Sequence, residues 1–254
     1  MNESWRNLSL DQDKDIDHVL AAWPYKPSAV QVRIIRTVQG RQVMQMRVDL
    51  GILQMELQGR PDGTRPGGAA TYLDHLLALE FHDPHHFELT EEHCEEIDRE
   101  FEQFYHRRIG FLALNLYEQA VEDADHTLAL MDFCRRWARD PQWLWSHEQY
   151  RPFVVFHRAQ AAALAALDRN EPEEAINRLN QGLEQMAEFF AHYDAEEHFE
   201  EDELVQRLQE LRETIRQDFH VGKTLAEQLS EAIAAEEYER AARLRDQLRR
   251  RKQQ

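Results

Sequence analysis

From Thr224 to Lys252 the chain reads TLAEQLSEAIAAEEYERAARLRDQLRRRK, two runs of good helix formers on either side of a reversal at residues 234–236. Apolar residues recur at helical spacing in each run, which places them on one face of each helix. They are Leu225, Leu229, Ala232 and Ile233 in the first arm, and Tyr238, Ala241, Ala242 and Leu248 in the second. Alanines on facing surfaces let two helix backbones come close. The stretch therefore predicts a helical hairpin.

The second arm carries three short groups at fixed spacing: Tyr238-Glu239, Ala241-Ala242 and Leu244-Arg245-Asp246. This run resembles the UVR motif, the helix pair found at the C-terminus of UvrB, within UvrC, and in some regulators of bacterial Clp proteases. The resemblance implies a docking function, because the motif is a protein-interaction device and not a catalytic one. The rest of the chain is similar in arrangement to bacterial proteins in which a helical body precedes such a hairpin.

The expected partner of this hairpin is another UVR-type hairpin, in a homodimer or in a partner protein. A segment of about thirty residues buries too little surface to be stable alone, so the remaining apolar surface is expected to pack against a second hairpin. Charged residues at the edge of such a contact set its register more than its strength. The expected partner-binding residues are Leu229, Ile233, Tyr238, Glu239, Ala241, Ala242, Leu244, Arg245, Asp246 and Leu248.

The charge of the chain is distributed unevenly. The formal net charge is −18, but residues 222–254 carry eight Lys/Arg and six Asp/Glu, so the remaining residues carry −20. The chain ends in a basic run that could contact an acidic partner or a nucleic acid: Arg249, Arg250, Arg251 and Lys252. Direct binding to nucleic acid is not expected, since the acidic body repels a phosphate backbone.

A small β segment is predicted near the N-terminus. Val30 to Ile34, Val43 to Asp49, and Leu53 to Leu57 alternate between apolar and polar residues, with glycine between the runs. A turn-rich segment, Gly59 to Gly63, follows them. The predicted fold class is mainly α with this small antiparallel β segment, then a helical-repeat-like bundle and the terminal hairpin. The corresponding domains are residues 1–66, 67–220 and 223–254.

A short helix is predicted at residues 15–23 of the N-terminal segment. The predicted helices of the central region cover residues 70–80, 91–116, 117–138, 153–167, 173–193 and 195–218. Small residues at helical spacing in 153–193 resemble a tetratricopeptide-type repeat, the helix-turn-helix unit of peptide-binding solenoids. They include Ala159, Ala163, Ala175 and Gly182. The first pair, 104–138, fits less well because Arg107 and Arg108 stand where small residues belong. An ordinary helical bundle is an equal alternative. Around Pro141, Trp137, Trp143 and Trp145 are expected to pack in the core and between helices, with a peptide groove as the alternative.

One group of residues has the composition of a metal site. His82, His85, His86, His93 and Cys94 are the densest set of imidazole and thiol ligands in the chain. They lack a recognised zinc spacing, so loop histidines that bind only water or neighbouring backbone are the alternative. Asp123 and His126, one helical turn apart, are expected to form a hydrogen bond on a helix surface. The Gly222-Lys223-Thr224 sequence lacks the earlier glycine of a phosphate-binding loop and is expected to be a linker.

Composition favours a cytoplasmic location. Cys94 and Cys134 are too few and too far apart for a disulfide framework, and no apolar run approaches the length of a membrane span. No membrane partner and no cofactor are expected.

The leading hypothesis is a non-enzymatic protein-interaction adaptor or regulator that docks through the terminal hairpin. A first alternative is an accessory factor of nucleotide excision repair or the DNA damage response, acting through UvrB/UvrC-type contacts. A second is a metal-dependent enzyme using the His82–Cys94 region. The sequence contains no nuclease-like domain, helicase motif or paired zinc cysteines, so the resemblance does not extend to those activities.

Overall fold

A computed structural model describes residues 16–251, except for the side chain of Arg251. The predicted helix at 15–23 begins one residue outside this range, and Lys252 also lies outside it. The described chain is mainly helical, with a three-stranded antiparallel sheet near its N-terminus and a helical pair at its C-terminus. This arrangement confirms the predicted fold class.

The sheet is a simple meander that follows a short helix, α1 (Asp17–Ala22). Its strands are β1 (Gln31–Arg36), β2 (Gln42–Val48) and β3 (Gly51–Glu56), paired in that order. Across the meander, Met46 of β2 pairs with Val32 of β1 and with Leu53 of β3. The strand prediction was therefore right to within a few residues at each end.

Nine further α-helices follow in the described part of the chain, and all but α5 were predicted. The first five are α2 (Tyr72–His82), α3 (Glu91–Ala113), α4 (Tyr117–Trp137), α5 (Pro141–Glu148) and α6 (Arg151–Asp168). The last four are α7 (Pro172–His192), α8 (Glu203–Phe219), α9 (Leu225–Ala234) and α10 (Tyr238–Arg251). Among residues 16–251, none of these helices combines the length and apolarity needed to cross a bilayer.

The sheet packs on α3 at a glycine. Met44 of β2 is fully buried in a core cluster with Met55 and Phe111. A Cβ placed on Gly110 would lie only 2.2 Å from the Sδ of Met44, so α3 can approach the strand this closely only because residue 110 has no side chain.

Helices α6 and α7 pack through small residues, as the sequence predicts. Ala159, Ala163 and Ala166 of α6 lie in one core cluster with Ala175 and Leu179 of α7. The two backbones are so close at Gly182 that a Cβ there would be 2.4 Å from that of Ala159. The assignment of this pair to the tetratricopeptide class stays a prediction.

Two segments differ from the sequence expectation. The expected helix at 195–218 is divided, because the Asp202 carboxylate accepts hydrogen bonds from the backbone of Leu204 (2.9 Å) and Val205 (3.1 Å) and so starts α8 afresh. A 3-10 helix (Glu196–Glu201) precedes it. Around Pro141, Trp145 lies outside the core and is 46% exposed on α5, with its ring centroid 5.1 Å from that of Tyr193 at the end of α7.

The expected surface hydrogen bond between Asp123 and His126 is also wrong, because each side chain pairs with α3 instead. Asp123 receives two hydrogen bonds from Arg107, at 2.9 and 2.7 Å. The Nε2 of His126 lies 2.9 Å from the carboxylate of Glu100. Arg107 also donates to the carbonyl oxygens of Glu56 and Gly59, so this buried network ties the sheet to the helices.

Candidate docking hairpin

The hairpin formed by α9 and α10 has a small core of its own. Ala232, Ala241 and Leu244 are buried between the two helices, with Leu225 and Leu229 packed against them. The chain reverses at residues 235–237, where Glu236 adopts a left-handed backbone conformation (φ 58°). The predicted hairpin is therefore present, and its arms meet through alanines.

A polar network attaches α9 to the helical body. Thr224, which is buried, caps α9, and its hydroxyl donates to the Oδ1 of Asn177 on α7 at 2.8 Å. Asn180 donates to the Oε1 of Glu227 at 2.8 Å. Arg216 of α8 forms an ion pair with Glu227 and donates to the carbonyl oxygen of Gly222 at 2.7 Å. The Gly222-Lys223-Thr224 linker is thus a structured joint.

Glu227 is the centre of this joint. Partial burial would raise the pKa of its carboxyl, but the backbone N–H of Thr224, the amide of Asn180 and the charge of Arg216 together hold that pKa below its usual value of 4.5. Glu227 is therefore ionised at neutral pH and accepts hydrogen bonds from three different parts of the chain.

The predicted partner-binding residues divide into two sets. Ala241 and Leu244 are buried inside the hairpin, with Leu244 only 7% exposed, so they hold the two arms together. Ile233 and Tyr238 are 56% and 70% exposed. The other exposed members are Glu239, Arg245 and Asp246, and the half-buried ones are Leu229, Ala242 and Leu248.

Most of the outward-facing apolar residues share one side of the hairpin. Each successive residue turns about 100° around a helix axis. Ala226 and Ile233 therefore lie about a quarter turn beyond the buried stripe of α9, and Tyr238, Ala242 and Arg245 lie about a quarter turn beyond that of α10. In both helices this turn from the buried stripe follows the direction of the chain. When two right-handed helices run antiparallel, residues turned in that direction from the two facing stripes lie on the same side of the pair. We call these five residues the hairpin flank.

A cleft of about 1180 Å³ separates the hairpin from α7 and α8. Its walls include Gln181 and Arg212 from the body, and Ala226, Ser230 and Leu248 from the hairpin. Of the hairpin flank, Ala226 lines this cleft, whereas Ile233, Tyr238, Ala242 and Arg245 do not.

The basic end of α10 is exposed where it is described. Arg249 and Arg250 are both solvent-accessible, and the helical backbone continues to Arg251. Arg245 is engaged with the adjacent Asp246 at 3.1 Å. The predicted contact at Lys252 lies outside the described residues.

The comparisons with known proteins bear on this part of the chain. The family described as UVR, the UvrB/uvrC motif, matches residues 223–254, a range that contains the whole of the described hairpin. No curated protein and no solved structure matches the chain. The family match supports the UVR resemblance and a role in protein or DNA-repair-related interactions of the UvrB/UvrC type.

The histidine-rich segment forms no ligand cluster. His86 pairs with Asp83 at 2.8 Å, whereas His93 caps the start of α3 and stacks on Phe87. His82 and His85 are exposed. Burial raises the pKa of the Cys94 thiol, which disfavours the thiolate that a metal requires. Within residues 16–251, no three His, Cys, Asp or Glu side chains converge as a metal site would need.

Sequence reasoning missed the residues that position the hairpin. Asn177, Asn180, Arg212 and Arg216 come from α7 and α8, outside the matched motif, and nothing in their local pattern marks them. A partial signal was present in Thr224 and Glu227, whose Thr-x-x-Glu spacing is that of a capping box.

Proposed function

We propose that this protein is a non-enzymatic interaction adaptor or regulator that docks through its C-terminal hairpin onto another hairpin of the UVR type. The observation that supports it most directly is the family match over residues 223–254, the segment in which Ile233 and Tyr238 stand exposed. Large apolar side chains exposed together on one side of a small element are typical of an interaction surface.

The hairpin flank is the contact surface in this proposal. Ala226 and Ala242 are small enough to admit an incoming helix closely, and Ile233 and Tyr238 provide the apolar area. Full burial of a side chain such as Ile233 contributes about 1.5–3 kcal/mol. Arg245 lies beside these residues and sets the register of the pair. The result is a four-helix arrangement made of two hairpins.

The body presents the hairpin in a fixed orientation. Because Glu227 is bonded to α7, α8 and its own N-cap, α9 does not swing freely relative to the body. An incoming hairpin that covers the flank reaches the edge of the cleft at Ala226. The helical body therefore supports the hairpin and fixes the direction from which a partner approaches.

Deletion of residues 222–254 tests the proposal. Light scattering of the purified protein or affinity capture from host lysate should change: the truncated chain becomes monomeric, or it loses a captured protein that itself carries a UVR-type hairpin. Unchanged oligomeric state together with unchanged captured proteins would refute the docking function.

A second candidate function is an accessory role in DNA damage processing through UvrB/UvrC-type contacts. The family match and the exposed Arg249 and Arg250 favour it. With a charge of −20 on the rest of the chain, this role would depend on protein contacts and not on intrinsic DNA affinity. Salt-sensitive DNA binding that disappears when residues 249–252 are neutralised would instead favour direct contact.

A further inference from the structure

A second cavity, open to solvent on one side, lies between helices of the body, far along the chain from the hairpin. Its volume is about 660 Å³, within the range of small-molecule sites, and residues of α3, α4, α5 and α6 line it. Its walls are mainly apolar and aromatic: Phe101, Tyr105, Met131, Phe153 and Val154.

Arg108 of α3 forms part of the wall of this cavity. The residue is 1% exposed, and its Nη1 donates a hydrogen bond to the hydroxyl of Thr127 at 2.9 Å. Its Nε has no hydrogen-bond partner. The nearby carboxylate of Asp123 is already engaged by both Nε and Nη2 of Arg107. The guanidinium of Arg108 therefore lies in the cavity wall, and most of its N–H groups donate no hydrogen bond within the protein.

The other buried arginines of the described chain are better satisfied. Arg107 has Asp123, and Arg60 lies 2.6 Å from Glu96 and 3.4 Å from Glu100. Arg47 donates to four backbone carbonyl oxygens. A buried cation without a carboxylate is costly, and Arg108 stands apart in having a single neutral acceptor.

The electrostatics around Arg108 support this interpretation. Burial lowers the pKa of Arg108 to about 10, which still leaves the side chain charged at neutral pH. Burial and the charge of Arg108 lower the pKa of the neighbouring His157 to about 4, and the Nδ1 of His157 has no partner. Both effects indicate a positive field around Arg108, which the carboxylate of Asp123 offsets only in part because it is bonded to Arg107.

The mouth of the cavity has the opposite charge. Asp98 and Glu102 lie at its edge. The carboxylate of Asp98 accepts a hydrogen bond from Trp143 at 2.9 Å and lies 2.7 Å from the Nε2 of His147. Glu102 is largely exposed, 3.6 Å from His106. This acidic edge opposes a highly charged anion such as a phosphate but admits a single carboxylate on an apolar body.

We propose that the cavity binds a small organic monocarboxylate, with the carboxylate on Arg108 and an apolar or aromatic body between Phe101, Tyr105 and Phe153. The planar guanidinium matches a carboxylate in shape and offers parallel donors, and such charge-assisted bonds are the stronger kind. This binding function is separate from the hairpin, and neither depends on the other.

Calorimetric titration of the full chain with octanoate and 3-phenylpropionate, each against its primary amide, tests the proposal. At least one acid should bind at one site per chain, with about tenfold or greater preference over its amide, because only the acid pairs with Arg108. Equal affinity of acid and amide, or no acid binding with a Kd below about 1 mM, would overturn the proposal.

Variants locate the site. Arg108→Met should weaken acid binding about tenfold or more, while Arg99→Met, an equal charge change on the exposed side of the same helix, should leave it unchanged. Phe153→Ala should weaken 3-phenylpropionate without altering any charge. Acid binding that survives both Arg108→Met and Phe153→Ala would place the ligand elsewhere and overturn the proposal. If Arg108→Met does not fold, the acid–amide comparison and Phe153→Ala still decide the outcome.

Discussion

Asn180, in the middle of α7, donates a hydrogen bond of 2.8 Å from its Nδ2 to the Oε1 of Glu227, in the first turn of α9. The same amide accepts at its Oδ1 from Arg212 of α8 at 2.9 Å. The side chain of Asn180 therefore connects α7, α8 and the terminal hairpin at one point. The orientation of the hairpin therefore depends on polar contacts, whereas its internal cohesion depends on apolar ones.

Replacing the carboxylate at this joint should loosen the hairpin without unfolding the body. Glu227→Ala removes the capping box, the bond from Asn180 and the ion pair with Arg216, which together should cost about 2 kcal/mol of local stability. Hydrogen exchange of the α9 and α10 amides measures the loss. Glu239→Ala, at an exposed carboxylate on α10, is the matched control. Equal protection in the two variants would mean that the joint does not hold the hairpin.

Acidification should destabilise the body through His157. Because burial lowers its pKa to about 4 from an ordinary value of 6.5, the unfolded chain binds a proton between these values that the folded chain does not. This group therefore makes the free energy of unfolding fall as the pH falls from 6.5 towards 4, by up to about 1.4 kcal/mol per pH unit.

Urea unfolding across this pH range measures the effect. His157→Leu, which keeps a similar volume without a titratable group, should show a shallower fall than the original chain. His85→Leu, at an exposed loop histidine, should not. Parallel pH profiles for the original chain and His157→Leu would show that His157 does not stay neutral in the folded protein.

A single methyl group should disturb the α6–α7 contact. Gly182→Ala places a Cβ 2.4 Å from that of Ala159, so the helices must separate, at a cost of about 1–3 kcal/mol. Chemical denaturation compares this variant with Gly51→Ala, where nothing lies within 4 Å of an added Cβ. In a double-mutant cycle, Ala159→Gly should recover part of the loss. Additive effects would contradict the close approach.

The regular elements were predictable because their signals are local. Alternation marked the three strands, and helical periodicity marked the long helices. One of these is α3, which begins where the Thr90 hydroxyl accepts a hydrogen bond from the backbone of His93. The same local reading failed at Asp202, since a run of acidic helix formers gave no hint that one carboxylate would restart the helix.

The two sites differ in what the sequence could supply. The hairpin is contiguous, so its residues appear together in the chain, and the family match falls on the same segment. The cavity of the body is lined by Arg108, Thr127 and Phe153, which lie on three separate helices. In the sequence, Arg108 only stands out as a large residue where a tetratricopeptide-type repeat needs a small one. Only the packing of the helices shows that it is buried beside a cavity.

The measurement that tests the docking proposal most directly is affinity capture with charge placed on the hairpin flank. Ile233→Glu and Tyr238→Glu alter exposed side chains, so the hairpin itself should still fold. Gln247→Glu adds the same charge on the opposite flank and serves as the control. We predict that a partner carrying a UVR-type hairpin, or a second copy of this chain, is lost with either flank variant and kept with the control. Capture of the same proteins at the same level by all three variants would contradict docking through this surface.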